Sequence, residues 1–335
     1  MGLAPAGPRT FFERSTAGHV DLPRARAGGL GGGLFSISLS GRIRPPGAPD
    51  LPPLDPSEAP RNDWMTRVQA QSDVLYWLGS LFALERESKG ECRIIRTAAE
   101  LDHCLRHEVF AIGLHLEGSS ALDVDGHALE VFYQAGVRSL GIAHFRPTVF
   151  ATGVPRLFPH TPDAGSGLTD AGKALVRQCN RLRVLVDLSH ANAKTFWDVA
   201  YITDAPLVAT HSNAWHLSPS PRNLADDQLA AIRDSGGLVG LNFYVAMLRT
   251  DGERNSRTPL SLILDHLDYL VDKLGIDCVG FGSDFDGAPI PQDLQDAAGL
   301  PKLMEGLVQR GYAEDALRKL AHGNWLRVLH RSWPA

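Results

Sequence analysis

The sequence predicts an α/β fold, a (β/α)₈ barrel of parallel strands that alternate with helices. One observation is the alternation itself, because strand-like apolar runs separated by helix-length segments are typical of βα units and a mostly parallel sheet. The other is that five of these runs end at a residue that can bind a metal or transfer a proton: Glu117, His144, His190, His211 and Asp284. Such side chains at the carboxyl ends of barrel strands meet at one mouth, so we expect an active site there.

The elements can be followed along the chain. The first apolar run is LFSISLS at 34–40, and the proline-rich segment 42–60 is predicted to form a surface loop. Residues 63–88 carry apolar side chains near helical spacing. Later in the chain, Thr258 is predicted to cap a helix that Gly275 ends. The remaining strand candidates are 110–116, 138–143, 183–188, 206–210, 237–242 and 278–282.

These runs give seven strands, whereas a (β/α)₈ barrel needs eight. The first thirty residues hold no further apolar run of strand length. The first barrel strand is therefore predicted to be missing from this chain.

Composition favours a single enzyme domain over residues 1–335. With 44% hydrophobic and 21% charged residues the chain can bury a large core, and one barrel of 335 residues is ordinary. A net charge of -5 without a block of lysines or arginines gives no electrostatic footprint for nucleic acid. Small molecules are the expected partners.

The sequence also bears on location. Its four cysteines lack the spacing of a disulfide framework or of a cysteine-based zinc site. The first residues lack the apolar core of a signal peptide, and no apolar stretch is long enough to span a membrane. We therefore expect a cytoplasmic protein without a membrane partner.

The strand-end residues favour metal-dependent hydrolysis. Glu117 follows an apolar strand, where a buried carboxylate is costly unless a metal or an ion pair compensates it, and both remain open. His190 or His211 alone could be a hydrogen-bonded core histidine. Two histidines at equivalent strand ends favour a shared metal ion.

Longer motifs resemble those of one family. They are GHVDLPRARAGGLGGGLFSISLS, GLHLEGSSALD, GIAHFRP, GLTDAGKALVRQCNRLRVLVDLSHAN, PLVATHSNAWHLSPSPRNLADDQL and VGFGSDFDGAPIPQDLQD. In number and order they resemble the membrane (renal) dipeptidase family, the M19 metallopeptidases, over residues 18–329. The resemblance implies an amidohydrolase-type (β/α)₈ barrel with two zinc ions, and a homodimer.

The resemblance implies metal-binding roles for three residues. Glu117 would bridge both zinc ions, and His190 and His211 would bind the second ion together with it. Asp187, on the same strand as His190, is expected to be a structural carboxylate.

It also implies catalytic and substrate-binding roles. His144 would stabilise the oxyanion of the tetrahedral intermediate. Arg222 would hold the terminal carboxylate of the substrate, although without the family pattern a surface salt bridge is favoured. Asp284 would handle the protons of the attacking water and the leaving amine. Asp286 would share a strand face with Asp284 if the strand continued. It is expected to support the site residues or to cap a helix.

One part of the family pattern is not matched. In the family the first strand ends in a His-x-Asp pair that binds the other zinc. His19 and Asp21 have this spacing, but the residues before them are polar and turn-like, and LFSISLS begins only thirteen residues after Asp21. We predict that His19 and Asp21 are not ligands and that the true pair is absent with the first strand. A start site downstream of the native one would explain this. The 335-residue chain is then expected to be weakly active or inactive, and adding the upstream segment is expected to raise its zinc content and its activity.

The expected activity is that of a zinc-dependent dipeptidase, in which a metal-bound hydroxide attacks the peptide carbonyl of a dipeptide. Two alternatives remain open. One is another amidohydrolase-type reaction on an amide, a lactone or an N-acyl amino acid, and the other is an inactive, truncated remnant of the fold. The preferred dipeptides, including D-residues, do not follow from the sequence.

Overall fold

The structure, a computed structural model, describes residues 10–39 and 66–335. Its strands form one sheet in which every pair is parallel. The strands are β1 (Gly32–Ser38), β2 (Cys92–Ile95), β3 (Phe110–Glu117), β4 (Val137–Gly141), β5 (Leu185–Asp187), β6 (Val208–Ser212), β7 (Leu238–Leu241) and β8 (Val279–Phe281).

Seven of these strands form the curled wall, in the order β1-β3-β4-β5-β6-β7-β8. They are the seven that the sequence predicted, and among the described residues β1 and β8 are the two edges of the wall. The strand that sequence reasoning missed is β2, which pairs with β3 from Cys92↔Phe110 to Ile95↔Gly113. Beyond that point β4 takes over the pairing, starting at Leu114↔Val137. Because β2 has only four residues, it has no readable alternation.

Helices connect the strands. They are α1 (Leu22–Ala27), α2 (Arg67–Glu87), α3 (Ala98–Arg106), α4 (His127–Ala135), α5 (Asp170–Leu182), α6 (Ala193–Ile202), α7 (Asp226–Asp234), α8 (Val245–Leu248), α9 (Ser261–Leu274), α10 (Leu300–Gln309), α11 (Glu314–Arg318) and α12 (Asn324–Ser332). Short 3₁₀ turns lie at Ile276–Cys278 and Ala297–Gly299, and one π turn lies at Lys319–Gly323.

The predicted helix cap at Thr258 is wrong. The α-helical span begins at Ser261, and the Thr258 hydroxyl instead donates to the carbonyl of Asn255 at 2.6 Å. The predicted end at Gly275 is confirmed, since that residue is the C-cap with a positive φ of 80°. The predicted proline-rich loop at 42–60 lies outside the described residues.

Parallel strands covered on both faces are expected to be buried along their whole length, and the central strands follow this rule, although His115, Arg138 and Ser139 interrupt their apolar sequence. Every residue of β4, and every residue of β3 before Glu117, is buried. The four cysteines are also buried and free of disulfides. Burial raises the pKa of the thiols of Cys92 and Cys179 to about 12.

Within the described ranges, no helix is both long and apolar enough to cross a membrane.

Candidate metal centre and active site

Three potential ligand atoms converge at the carboxyl ends of β3, β5 and β6. Glu117 Oε1 lies 2.9 Å from His190 Nε2 and 3.3 Å from His211 Nε2, and the two Nε2 atoms are 3.1 Å apart. A tetrahedral zinc ion with bonds of about 2.0–2.1 Å has ligand atoms roughly 3.3 Å from one another. The three atoms therefore have the spacing of one face of such a coordination sphere. Among the described residues this is the one cluster of three or more such groups that could hold a metal.

The strands place these side chains in slightly different ways. Glu117 is the last residue of β3, and His211 lies within β6, beside a register irregularity between Ala209 and Ser212. His190 comes three residues after the end of β5, in a tight turn. Asp187 holds this turn, because its Oδ1 accepts from the backbone N–H and the hydroxyl of Ser189.

The orientation of His211 is set by its hydrogen-bond partners. Its Nδ1 lies 2.7 Å from Thr210 Oγ1, which in turn donates to Asp187 Oδ2 at 2.8 Å. Since the Thr210 hydrogen is used toward the carboxylate, the Nδ1–H of His211 must be the donor to Thr210. A neutral His211 with its hydrogen on Nδ1 has a lone pair on Nε2, as a metal ligand needs, whereas a hydrogen bond from Nε2 to Glu117 belongs to the protonated ring.

Apart from the contacts of its Nε2 within the cluster, His190 is held by packing. Its ring stacks on His144, with centroids 4.0 Å apart and planes 26° apart, and meets Phe145 edge to face at 4.9 Å. Its Nδ1 is buried without a hydrogen-bond partner within the described ranges. The two candidate histidine ligands are therefore specified by different physical means.

The electrostatics of the cluster favour an ionised carboxylate. Burial raises the pKa of Glu117, but hydrogen bonds from His190 and His211 outweigh it and hold that pKa well below its usual range. Burial, with the nearby Arg222 charge, lowers the pKa of His190 well below its usual value. Burial also acts to lower the pKa of His211, but the hydrogen bond to Glu117 and the neighbouring carboxylates raise it overall. The second carboxylate oxygen of Glu117, Oε2, accepts from Ser36 at 3.2 Å.

His115, which sequence reasoning missed, lies beside the cluster and close to Asp187. His115 Nδ1 is 2.9 Å from Ser139 Oγ, and its Nε2 is 3.6 Å from Asp187 Oδ2. Both His115 and Asp187 are almost fully buried. A signal was present, because residues two apart on a strand share a face, so His115 had to point the same way as Glu117.

His144 lies at the rim of the cluster, three residues after the end of β4. Its Nε2 is 3.7 Å from Glu117 Oε1. Burial lowers the pKa of His144 to about 3, although the charge of Glu117 opposes this. The ring is therefore neutral at physiological pH and carries one N–H that can be donated.

Arg222 is buried beside the cluster, with 6% of its surface exposed. Its Nη2 donates to the carbonyl of His211 at 3.3 Å, whereas its Nη1 is buried without a hydrogen-bond partner in the part of the chain that the structure describes. Burial lowers its pKa to about 10, so the guanidinium is charged at neutral pH. A surface salt bridge, the simpler alternative for this residue, is not what the structure contains.

Asp284 lies in a turn rather than at a strand end, because β8 stops at Phe281. Its φ is 54° and that of Asp286 is 64°, both in the left-handed region that non-glycine residues avoid. Its Oδ2 accepts from Asn242 Nδ2 at 3.1 Å, and the same amide group donates to the carbonyl of His211 at 3.3 Å. The expectation that Asp286 shares a strand face with Asp284 is therefore wrong, since neither residue lies in a strand.

The ligand-capable atoms of His19 and Asp21 are occupied by other contacts. Asp21 is the N-cap of α1, and its two oxygens accept from the backbone N–H and the Nε of Arg24 and from the backbone N–H of Ser15. His19 Nδ1 accepts from the backbone N–H of Asp286 at 2.9 Å. Neither residue belongs to the metal-ligand cluster.

Comparisons with known proteins show which family this chain resembles. The model of the membrane dipeptidase family, peptidase family M19, matches residues 5–332. An uncharacterised protein from the pqqA 5′ region of Klebsiella pneumoniae is 48% identical over 262 residues, covering 78% of this chain and 97% of that protein.

Two solved structures are similar over nearly the whole chain. The crystal structure of dipeptidase AC, a metallopeptidase of family M19, has a TM-score of 0.89 and 47% identity, covering 97% of this chain and 93% of that one. A metallopeptidase from Rhodobacter sphaeroides, solved with a phosphinate mimic of the dipeptide L-Ala-D-Ala, has a TM-score of 0.90 and 45% identity, covering 98% and 95%.

Proposed function

Because this chain belongs to the membrane dipeptidase family, peptidase family M19, we propose that it is a zinc-dependent dipeptidase that hydrolyses the peptide bond of dipeptides with a free terminal carboxylate. The single observation that carries the proposal is the convergence of Glu117 Oε1, His190 Nε2 and His211 Nε2 beside the buried guanidinium of Arg222, whose Nη1 has no hydrogen-bond partner among the described residues. A metal position and an anion position thus lie side by side, as a dipeptidase requires.

The donor set fits zinc. Catalytic zinc sites commonly use three histidine or carboxylate ligands and leave a fourth position open. When bound there, zinc would polarise the substrate carbonyl and lower the pKa of a coordinated water. Glu117, His190 and His211 could hold one such ion, and His19 and Asp21 do not belong to this cluster.

Arg222 is the proposed anchor of the substrate. A buried donor left unsatisfied costs about 1–3 kcal/mol, and more when it is charged, so the Nη1 of Arg222 favours an anionic partner. A carboxylate suits the planar guanidinium fork. The terminal carboxylate of a dipeptide would fill this position and fix the distance from the anchor to the scissile bond.

His144 and Asp284 are the proposed catalytic side chains. The neutral His144 has one N–H available for charge that develops on the carbonyl oxygen. Asp284 Oδ2 is held by Asn242, which leaves Oδ1 to take a proton from the attacking water and to deliver it to the leaving amine. Each group acts at an atom that its neighbours do not already use.

The same features bear on the two alternatives. Hydrolysis of a lactone without a carboxylate would leave Arg222 unpaired, so the dipeptide is preferred. An inactive remnant has no need of ligand atoms that face one another, yet Glu117, His190 and His211 do so. We further propose a cytoplasmic location, which the four free buried thiols support. The homodimer stays a prediction.

The test measures metal content and substrate range on the purified chain. We expect bound zinc that a chelator removes, and hydrolysis of L-Ala-D-Ala or L-Ala-L-Ala that zinc restores. N-acetylalanine and a simple lactone serve as comparison substrates. A chain without zinc after loading, or one that hydrolyses the lactone faster than any dipeptide, would overturn the proposal.

A further inference from the structure

The turn that carries Asp284 is strained. Asp284 and Asp286 both adopt left-handed φ values, with the buried Phe285 between them. A non-glycine residue in this region persists only where surrounding contacts enforce it. Within the turn, the Asp284 carbonyl accepts from the backbone N–H groups of Gly287 and Ala288 at 3.0 and 3.2 Å. These local bonds close the turn but do not attach it to the rest of the molecule.

Asn242 attaches the side chain of Asp284, and His19 attaches Asp286. Its backbone N–H donates to Asp286 Oδ1, and its ring Nδ1 accepts from the backbone N–H of Asp286 at 2.9 Å. Its own carbonyl accepts from the backbone N–H of Ala297 at 2.9 Å. One residue from the N-terminal segment is therefore bonded twice to Asp286 and once to the 3₁₀ turn that follows.

The environment of His19 suits an acceptor rather than a cation. Burial, with the charge of Arg24, lowers the pKa of His19, although the charge of Asp286 opposes this. A neutral ring whose Nδ1 accepts must carry its hydrogen on Nε2. The carboxylate of Asp286 is 4% exposed, so its bond to the His19 backbone is shielded from water.

We propose that His19 is a positioning residue, which clamps the Asp284–Asp286 turn through its paired hydrogen bonds with Asp286 and thereby holds the Asp284 carboxylate at the metal centre. The inference rests on the role proposed for Asp284. It gives the His-x-Asp pair at residues 19–21 a function other than metal binding.

The test compares three substitutions at one position. In His19→Asn, the side-chain oxygen lies near the place of Nδ1 and can still accept. In His19→Gln, the amide lies near the place of Nε2, and in His19→Ala no acceptor remains. We expect Ala and Gln to lower kcat about 10- to 100-fold with KM nearly unchanged, because a displacement of about 1 Å can have that effect, and Asn to recover most of the rate. Zinc content should equal that of the unmodified chain in all three, and His330→Ala, a distant surface histidine, is the control.

A second readout does not depend on catalysis. Amide hydrogen exchange across residues 283–288 should accelerate in His19→Ala and His19→Gln, but not in His19→Asn, in both the zinc-loaded and the zinc-free protein. Unchanged exchange together with unchanged kcat in His19→Ala would overturn the clamp, and loss of zinc in that variant would make His19 a ligand instead. If the unmodified, zinc-loaded chain hydrolyses no dipeptide, the proposed function fails, whereas the exchange measurement still decides whether the clamp exists.

Discussion

Two parts of the barrel mouth carry similar residue types with different bonding partners. At the ends of β3, β5 and β6, ligand atoms of Glu117, His190 and His211 face one another. At residues 19–21, a histidine and an aspartate with the spacing of a metal-binding pair instead bind backbone N–H groups and Arg24. Acidic and histidine side chains are thus candidate metal ligands in the first place, whereas in the second they make structural hydrogen bonds.

The difference shows that the spacing of a motif along the chain does not predict whether its side chains can bind a metal. A His-x-Asp motif fixes which atoms are close along the chain, but the fold decides whether their lone pairs remain available. In the cluster, Thr210 takes the Nδ1–H of His211 and so leaves its Nε2 toward Glu117. In the N-terminal segment, helix capping uses the carboxylate of Asp21. Four predictions test this contrast.

The largest effect is expected when a ligand of the cluster is removed. His190→Ala or His211→Ala leaves two protein ligands, fewer than the three typical of catalytic zinc. Bound zinc should disappear, and kcat/KM should fall on the order of 10³-fold or more, since metals supply several kcal/mol to such reactions. Metal analysis beside the assay checks this, with His330→Ala as the control. Zinc retained at full occupancy would exclude the ligand assignment.

Arg222→Met should have the next largest effect. Truncating one partner of a buried charge pair typically costs about 2–5 kcal/mol, which corresponds to roughly 30- to 5,000-fold in kcat/KM for free dipeptides. The measurement compares each dipeptide with its C-terminal amide. The unmodified chain should strongly prefer the free acid, and the variant should lose that preference. Equal turnover of acid and amide by the unmodified chain would contradict the anchor role.

Asp187→Asn should weaken metal binding without abolishing it. The amide can no longer accept through both oxygens, so Thr210 is free to donate to His211 Nδ1 and to favour the wrong tautomer. Loss of such supporting contacts commonly lowers metal affinity 10- to 100-fold. Competition with a chelator gives the dissociation constant, with Asp277→Asn at an exposed ion pair as the matched control. An unchanged affinity would show that Thr210 does not depend on Asp187.

Asp21→Ala should have the smallest effect on function. It removes a helix cap and the partner of Arg24, which is 2% exposed, so the free energy of unfolding should fall by about 3–5 kcal/mol. Zinc content and kcat of the folded protein should not change. Urea unfolding and metal analysis measure the two quantities, and Asp21→Asn should be less destabilised because it retains a cap acceptor. Zinc lost from folded Asp21→Ala would place Asp21 among the ligands.

The wall strands and the neighbourhood of Glu117, His190 and His211 could be predicted because long apolar runs and strand ends are local signals. The β2 strand was missed because its four residues, Cys92–Ile95, are stabilised by pairing with β3 rather than by a pattern of their own. Asp284 was expected where the eighth strand ends, but it lies in a turn with a left-handed backbone, and the contacts of this turn include a residue far away in sequence. A role that depends on such long-range bonds cannot be predicted from the spacing of residues along the chain. The roles of the site residues stay predictions.

The reactivity of the four buried thiols can report local opening in separate parts of the molecule. Cys92 begins β2, Cys104 lies in α3, Cys179 lies in α5, and Cys278 directly precedes β8. A thiol that is buried with a raised pKa reacts with an alkylating reagent only when its surroundings open. The order in which the four sites become labelled therefore ranks how readily separate parts of the barrel open. No cysteine has to be introduced for this measurement.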